Sequence, residues 1–528
     1  MFVPITPLEF RSRAERLYGR KIGVIDGQKR FTYGEFGERS RRLATAIRSL
    51  GVRPGQVVSF ITYNTHHLLE AYYGVVQAEA ILNPINIRLN PKEISYILNH
   101  GECQVLFFHK DFAPMVDAMR GELKSVRHFV VLEPDGALPF LARDYEALLQ
   151  ESLPQVHDPE IDENKPAELF YTSGTTGKPK GVSLTHRSLY LHALYAIISL
   201  STSDETVLLH VVPMFHVNGW GSPHTITGTG GTHVMLRKID PLEIFRLVQQ
   251  ERVTILLGVP TIYNALVNHP EIAKYDLSSL RLALTGGAPA SPVLIKAMDE
   301  KLGCEARVGY GLTETSPVLT VARPKAHLSG DSLEQQRERR SKTGYAILGV
   351  DVRVVDEKDR DVPADSKTVG EIVARSNVVM DGYYKDPQAT AAAIRNGWFH
   401  TGDMAVIDEE GYILIVDRLK DIIISGGENI SSVEVETTLF AHPAVFEVAV
   451  VAVPDEQWGE VPKAVVVVKP GMKATEQELI AFCRERLAHF KVPKSIEFFD
   501  ALPKGGTGKI LKGDLREKYW VGFAKRVH

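Results

Sequence analysis

Layered α/β architecture, closed by a β-rich segment and followed by a compact α+β unit, is the fold class the sequence predicts. Three textures along the chain predict it. From residue 31 to about residue 286, amphipathic helical stretches alternate with short apolar runs. After Gly344 the runs become short, alternating in polarity and broken by Gly and Asp turns. From about Lys420 onward, two helical patterns and a long strand pair share a stretch of small-domain length.

The α/β portion opens with FTYGEFGERSRRLATAIRSLG, whose apolar residues recur at helical spacing, and with VVSFIT and CQVLFF, runs too short for helices. The alternation resumes in TVLLHVV, THVMLR, TILLGV and RLALTG. Each is followed by a polar or Gly-rich turn and a helical stretch, which predicts parallel strands joined by crossover helices. DVRVVD, GEIVAR and GYILIVDR predict the β-rich segment. In the last unit, SSVEVETTLFAHP and TEQELIAFCRERLAHF read as helices that begin with capping boxes, Ser431 to Glu434 and Thr475 to Glu478. They flank the strand pair EVAVVAVPDEQWGEVPKAVVVVKPG. The charged segment DRLKD at 417–421 joins this unit to the rest, as expected of a mobile small domain. EQQRERRSK at 334–342 reads as a solvated helix.

The length of 528 residues exceeds what one hydrophobic core organises, in keeping with a large domain and a smaller one. With 44% apolar and 24% charged residues the composition is that of a globular protein, not of a disordered, collagenous or repeat chain. A net charge of -4 supplies no broad cationic field, so neither nucleic acid nor an anionic membrane surface is expected as a partner. Cys103, Cys304 and Cys483 lie far apart without CxxC spacing, which argues against a disulfide framework or zinc knot and suits a reducing compartment. Charges interrupt the first twenty residues, no run of 18 apolar residues occurs, and the chain ends AKRVH rather than SKL; a cytoplasmic protein is expected.

The sharpest local feature is YTSGTTGKPKGV at 171–182. Glycines let backbone N–H groups approach phosphate oxygens, the hydroxyls of Thr172, Ser173, Thr175 and Thr176 add donors, and Lys178 adds charge. It is not a Walker A loop, because Gly174 and Gly177 are too close together and Pro179 follows Lys178 where Ser or Thr is needed.

This stretch resembles the signature of the adenylate-forming superfamily, which includes acyl-CoA synthetases, peptide-synthetase adenylation domains and beetle luciferases. Seven further segments follow in the superfamily's order: VPMFHVNGW (212–220), TGGAP (285–289), VGYGLTE (308–314), GWFHTGD (397–403), DRLKD (417–421), SGGENIS (425–431) and PKGGTGK (503–509). The resemblance spans nearly the whole chain and is closest to medium- and long-chain fatty-acyl-CoA synthetases. It implies a large N-terminal domain (1–416) of layered α/β subdomains plus a β-rich one, a hinge (417–421), and a small mobile C-terminal α+β lid (422–528). It also implies ATP, Mg²⁺ and coenzyme A as the reaction's partners, with a carboxylic acid.

By the same resemblance, Thr172 to Lys178 cradle the triphosphate, Gly286, Gly287 and Ala288 approach the adenine, and Tyr310, between Gly309 and Gly311, lays its ring against it. Thr313 touches the α-phosphate and Glu314 is the Mg²⁺ ligand. Asp403 and Arg418 hold the ribose hydroxyls, and Lys509 bridges the attacking carboxylate and the α-phosphate. His216, Asn218 and Trp220 line the acyl site. Lys420 is the hinge residue, and Gly426 and Gly427 line the pantetheine tunnel in the second half-reaction. His210, His216 and His224 are too irregularly spaced for a metal site on one face, and no zinc is expected there.

Residues 213–231 contain no Asp or Glu to pair with an α-ammonium, so the acid is expected to be uncharged apart from its carboxylate. Trp220 matches the residue that gates the acyl tunnel in long-chain synthetases, which favours a medium- or long-chain, branched or arylalkyl acid. SGDSL at 329–333 looks like a phosphopantetheine site but has no helical module around it. The expectation is therefore an AMP-forming acyl-CoA synthetase. The alternatives are a stand-alone ligase loading a carrier protein, and an inactive adenylate-binding sensor. The sequence leaves oligomeric state open, a homodimer included.

Overall fold

The computed structural model describes every residue except 157, 173–178, 419–420, 427, 506–507 and 522–528. The apolar runs form strands that are buried on both faces, such as Val57–Ile61, Val105–His109, Ile255–Gly258 and Leu282–Thr285, as parallel strands between helix layers must be.

Among the described residues these strands assemble into two large sheets. One has nine strands, with the parallel neighbours Ile22–Asp26, Thr232–Met235, Val207–His210, Ile255–Gly258, Leu282–Thr285 and Glu305–Gly311 in that order and antiparallel strands at both edges. The other has eight strands, parallel from Pro166–Thr172 to Arg143–Asp144 and extended at one edge by the antiparallel strands Lys180–Thr185 and Gly382–Tyr383. The helix His66–Gln77 is buried at all twelve positions, and the Tyr72 and Tyr73 hydroxyls donate to the carbonyls of Met214 (2.6 Å) and Pro223 (3.1 Å). Fully buried aromatics with satisfied hydroxyls thus fix the 213–223 segment against the main core.

An antiparallel sheet of Val350–Val355, Gly370–Ser376, Trp398–Ile407, Ile394–Arg395 and Ile413–Arg418 follows as the β-rich unit. A separate sheet built on the hairpin Val445–Asp455 and Gly459–Val468, with its own apolar core, makes the small domain. The fold is thus the expected large α/β domain with a smaller C-terminal one.

Local details differ from the sequence reading at two places. Thr475 and Glu478 form a complete capping box. Ser431 caps its helix through the Glu434 N–H alone, because the Glu434 carboxylate pairs with Lys491 at 2.7 Å instead. The helix Leu333–Ser341 is present, but it is not merely solvated: Arg340 is buried and grips Asp299 with both guanidinium arms at 2.8 and 2.6 Å. Among the described residues no helix is long and apolar enough to cross a membrane.

Candidate active site

Parallel pairing of Leu282–Thr285 with Glu305–Gly311, in register at Thr285 and Val308, sets two glycine turns side by side at the carboxyl ends of the strands, where open α/β sheets bind ligands. A methyl on Gly286 would fall 2.6 Å from the Gly309 carbonyl oxygen and 3.3 Å from the Trp220 ring, and Gly287 has φ +77°. A methyl on Gly311 would fall 1.7 Å from the Pro317 carbonyl oxygen. Only glycine allows this flat floor. Ala288 follows at its partly exposed rim.

Antiparallel register places Asp403 opposite Arg418 in the β-rich sheet. The Asp403 carboxylate is buried; one oxygen accepts from the Tyr310 hydroxyl at 2.7 Å and the other lies 3.0 Å from Arg418 Nε. Burial, together with the Asp403 charge, pushes the Tyr310 phenol well above its ordinary range, so it remains a donor. Desolvation opposes the Arg418 charge, but Asp403 together with Tyr310, Asp421 and Glu314 more than offsets it. A rigid carboxylate with unused lone pairs is thereby presented beside the glycine floor.

The short turn Thr313–Thr315 continues this strand; Thr313 is buried and the Glu314 backbone carbonyl accepts from Met380 N–H at 2.7 Å. Glu314 Oε1 accepts from the Tyr383 hydroxyl at 2.9 Å, and Lys180 Nζ lies 4.9 Å from the centre of the Tyr383 ring. Desolvation raises the Glu314 carboxyl above its usual range, a cost that a bound divalent cation would relieve. Tyr383 and Lys180 escaped the sequence reading. Their link to Glu314 runs across an antiparallel strand pair, Tyr383 opposite Val182, that leaves no local signature.

Beside the glycine floor the chain makes an unusual turn. Val217, Asn218, Gly219, Trp220 and Gly221 all have positive φ, from +37° to +80°. Such geometry is foreign to a β-branched residue and costs on the order of 1–3 kcal/mol per residue. The surroundings hold it: Asn218 Oδ1 accepts from Gly221 N–H at 2.6 Å, Ser222 Oγ donates to the Gly219 carbonyl at 2.8 Å, and Asn218 Nδ2 donates to Glu168 Oε2 at 3.2 Å. Glu168, fully buried in its strand, also meets His224 Nε2 at 2.8 Å. The Asn218 side chain is completely buried, with its amide committed to the turn and to Glu168. Glu168 was missed; its one trace in the sequence is a lone acidic residue inside the apolar run AELFY.

The turn delivers the Trp220 ring to the glycine floor on one side. On the other it closes a narrow apolar slot that it shares with Leu200, Leu257, Leu284, Val318 and Val321. His216, partly exposed at the head of the turn, has its pKa pulled down to about 4 by burial, with the nearby Lys509 charge adding to the effect. Lys509 is thus within electrostatic reach of His216. The small domain's Gly-rich loop is docked on the large domain here: the Gly508 carbonyl accepts from Thr261 Oγ1 at 3.0 Å and the Gly505 carbonyl from Arg88 Nη1 at 3.3 Å.

Thr172 ends a strand paired with Lys180, so the phosphate loop is the connection of this hairpin. Its residues Ser173, Gly174, Thr175, Thr176, Gly177 and Lys178 lie outside the described residues, as do Lys420 and Gly427. Gly426, with φ +59°, is at an exposed hairpin tip where its N–H donates to the Trp458 carbonyl at 2.9 Å. Its described contact therefore lies within the small domain, apart from the glycine floor.

A glycine floor, a braced carboxylate beside it and a lysine loop from a second domain define the site of a nucleotide-dependent activating enzyme. The comparisons agree. A family model described as AMP-binding enzyme matches residues 10–384, and one described as AMP-binding enzyme C-terminal domain matches residues 434–509. A long-chain-fatty-acid–CoA ligase of Thermus thermophilus is 44% identical over 520 residues, 97% of this chain and 95% of that one. A peroxisomal butyrate–CoA ligase of Arabidopsis thaliana is 39% identical over 537 residues, 98% of this chain and 93% of that one. The crystal structure of the anthranilate CoA ligase AuaEII in complex with anthranoyl-AMP superposes with a TM-score of 0.91 at 26% identity, covering 98% of each chain. The chain belongs to the AMP-binding enzyme family. Within it, this is an AMP-forming acid–thiol ligase, a class whose reaction consumes ATP and coenzyme A and requires Mg²⁺.

Proposed function

We propose that the ligase activates a medium- to long-chain, branched or arylalkyl acid whose only charge is its carboxylate, with the acyl part entering the slot behind Trp220. The observation that carries this reading is the lining. Apart from Ser199 the described residues around the slot are apolar and no carboxylate is among them, so a substrate ammonium would be buried without a counter-charge; the slot, about 10 Å³ as it stands, must widen to take the chain. The one acidic residue behind the turn, Glu168, is already committed to His224 and Asn218. A relative named for long-chain fatty acids fits acids of this kind, and one named for butyrate fits the uncharged aliphatic chain though not its length.

In the first half-reaction two anions meet, the acid's carboxylate and the α-phosphate. The Lys509 ammonium offsets their repulsion while the uncharged His216 imidazole borders the carboxylate without adding to the charge. Gly286, Gly287 and Ala288 take the adenine, with Tyr310 against it, and Asp403 accepts from the ribose hydroxyls while Arg418 and Tyr310 hold it in place. Glu314 would hold Mg²⁺, which supplies charge neutralisation at the phosphates; Tyr383 orients that carboxylate. The phosphate loop from Thr172 to Lys178 closes on the triphosphate. For thioester formation, residues 422–528 turn about the 417–421 segment at Lys420, and Gly426 and Gly427 come to the pantetheine arm.

The test is pyrophosphate release against a panel from acetate to palmitate, with benzoate, phenylpropanoate and α-amino acids, with and without coenzyme A. The expected peak lies among uncharged aliphatic or arylalkyl acids, with turnover rising on adding coenzyme A. A preference for α-amino acids would sink the assignment of the slot.

A further inference from the structure

We propose that His66, His67 and Glu133 form a second metal site, distinct from Glu314, for a borderline divalent transition ion, most naturally Zn²⁺. The strands Val57–Ile61, Val105–His109 and His128–Leu132 run parallel, so their carboxyl ends deliver two of the ligating segments to the same edge. The helix His66–Gln77 begins shortly after the first strand, and Glu133 immediately follows the third. One ligand atom from each of His66, His67 and Glu133 lies within 4.8 Å of the others.

Orphaned atoms point to a ligand. The His66 and His67 side chains are 1% and 0% exposed, and His66 Nε2 and both ring nitrogens of His67 have no hydrogen-bond partner. Leaving one buried polar atom unsatisfied costs about 1–3 kcal/mol, and three in adjacent rings, 3.7 Å apart at their centroids, are a concentration that a ligand would explain.

The tautomer is also set. His66 Nδ1 lies 2.6 Å from Asp26 Oδ2, so the Nδ1–H donates to that carboxylate and the Nε2 lone pair is left for an ion. This carboxylate–imidazole brace is the arrangement that orients ligating histidines in metal sites. Asp26 belongs to the nine-stranded sheet and the histidines follow a strand of the eight-stranded one, so the brace joins a ligand held by one sheet to the other.

Two imidazoles and one carboxylate suit Zn²⁺ with a fourth position open to water, whereas Mg²⁺ and Ca²⁺ demand oxygen ligands. Arg237 grips both oxygens of Glu133 at 2.8 Å and Lys29 lies 3.6 Å away, so each carboxylate oxygen offers only a remaining lone pair. These cations weaken the site relative to a dedicated structural zinc centre without closing it.

The experiment uses the full chain, stripped with a chelator and dialysed against Zn²⁺ or Co²⁺ in the presence of excess Mg²⁺. The expected result is one Zn²⁺ per chain that resists Mg²⁺, and a visible Co²⁺ absorption band abolished by Zn²⁺. His67→Ala should lose both, and Asp26→Asn should weaken binding 10- to 100-fold. Glu133→Gln, at a partly exposed position that folding tolerates, should weaken it at least tenfold and decides the matter if the histidine variants fail to fold. Zn²⁺ uptake by Glu133→Gln and His67→Ala equal to that of the parent chain, or no Co²⁺ band in the parent, would overturn the proposal.

Discussion

In the proposed mechanism the first half-reaction turns on Lys509 and Glu314, and the Tyr383 hydroxyl that meets Glu314 sharpens a prediction. Removing the Lys509 ammonium by Lys509→Ala should slow pyrophosphate release by roughly 10²–10³ while leaving ATP binding largely intact, the cost of one lost transition-state donor. Binding measured beside turnover separates the two. Tyr383→Phe removes the hydrogen bond to Glu314 Oε1 and nothing of similar size. It should raise the Mg²⁺ concentration needed for half-maximal rate by about tenfold or more, with the rate at saturating Mg²⁺ less affected. A magnesium titration of both proteins reads this directly. Lys509 and Glu314 were legible in the sequence as candidates because each ends a contiguous motif. Tyr383 and Lys180 were not, since what ties them to the site is pairing between strands nearly two hundred residues apart in the chain.

The left-handed turn at 217–221 is the element that would set the proposed acyl pocket, and it is held from behind. Asn218→Ala would strip Glu168 of one partner and the Gly221 N–H of its acceptor. The expected loss is about 1–3 kcal/mol of stability with a raised KM for the acid, because Trp220 loses its seat. Chemical denaturation and acid titration measure the two effects separately. The motif MFHVNGW announced where this element lies, but its residues argue against its shape: Val217 and Trp220 disfavour positive φ, and only Gly219 and Gly221 hint at it. The strands, by contrast, were readable one by one, since runs such as TILLGV and RLALTG are buried on both faces in the sheet as their unbroken apolarity required. Arg340 shows the limit of such reading: a charged helix looks solvated until the half-buried Asp299 that receives it is known.

At the scale of the whole molecule, buried neutral imidazoles govern behaviour toward acid. Burial lowers His186 to about 4 and His192 and His210 to about 3. The unfolded chain therefore binds more protons than the native one as pH falls below about 6.5. Stability is complete above that value and should fall by about 1.4 kcal/mol per pH unit for each such group down to pH 4. Glu314, Asp417 and Glu436, whose carboxyls burial pushes up, act in the opposite sense just above the ordinary carboxylate range. Denaturant melts at pH 7, 6 and 5 test the sign; stability rising between pH 6 and 5 would contradict it. The docked lysine loop bears on the order of events. With the Gly508 carbonyl fastened to Thr261, the small domain occupies one face of the site, and a thiol arriving early finds that approach closed. If pyrophosphate departs before the loop lifts, initial-rate plots of coenzyme A against the acid give parallel double-reciprocal lines, the pattern of a catalyst that discharges one product before admitting its last reactant; intersecting lines would contradict that order.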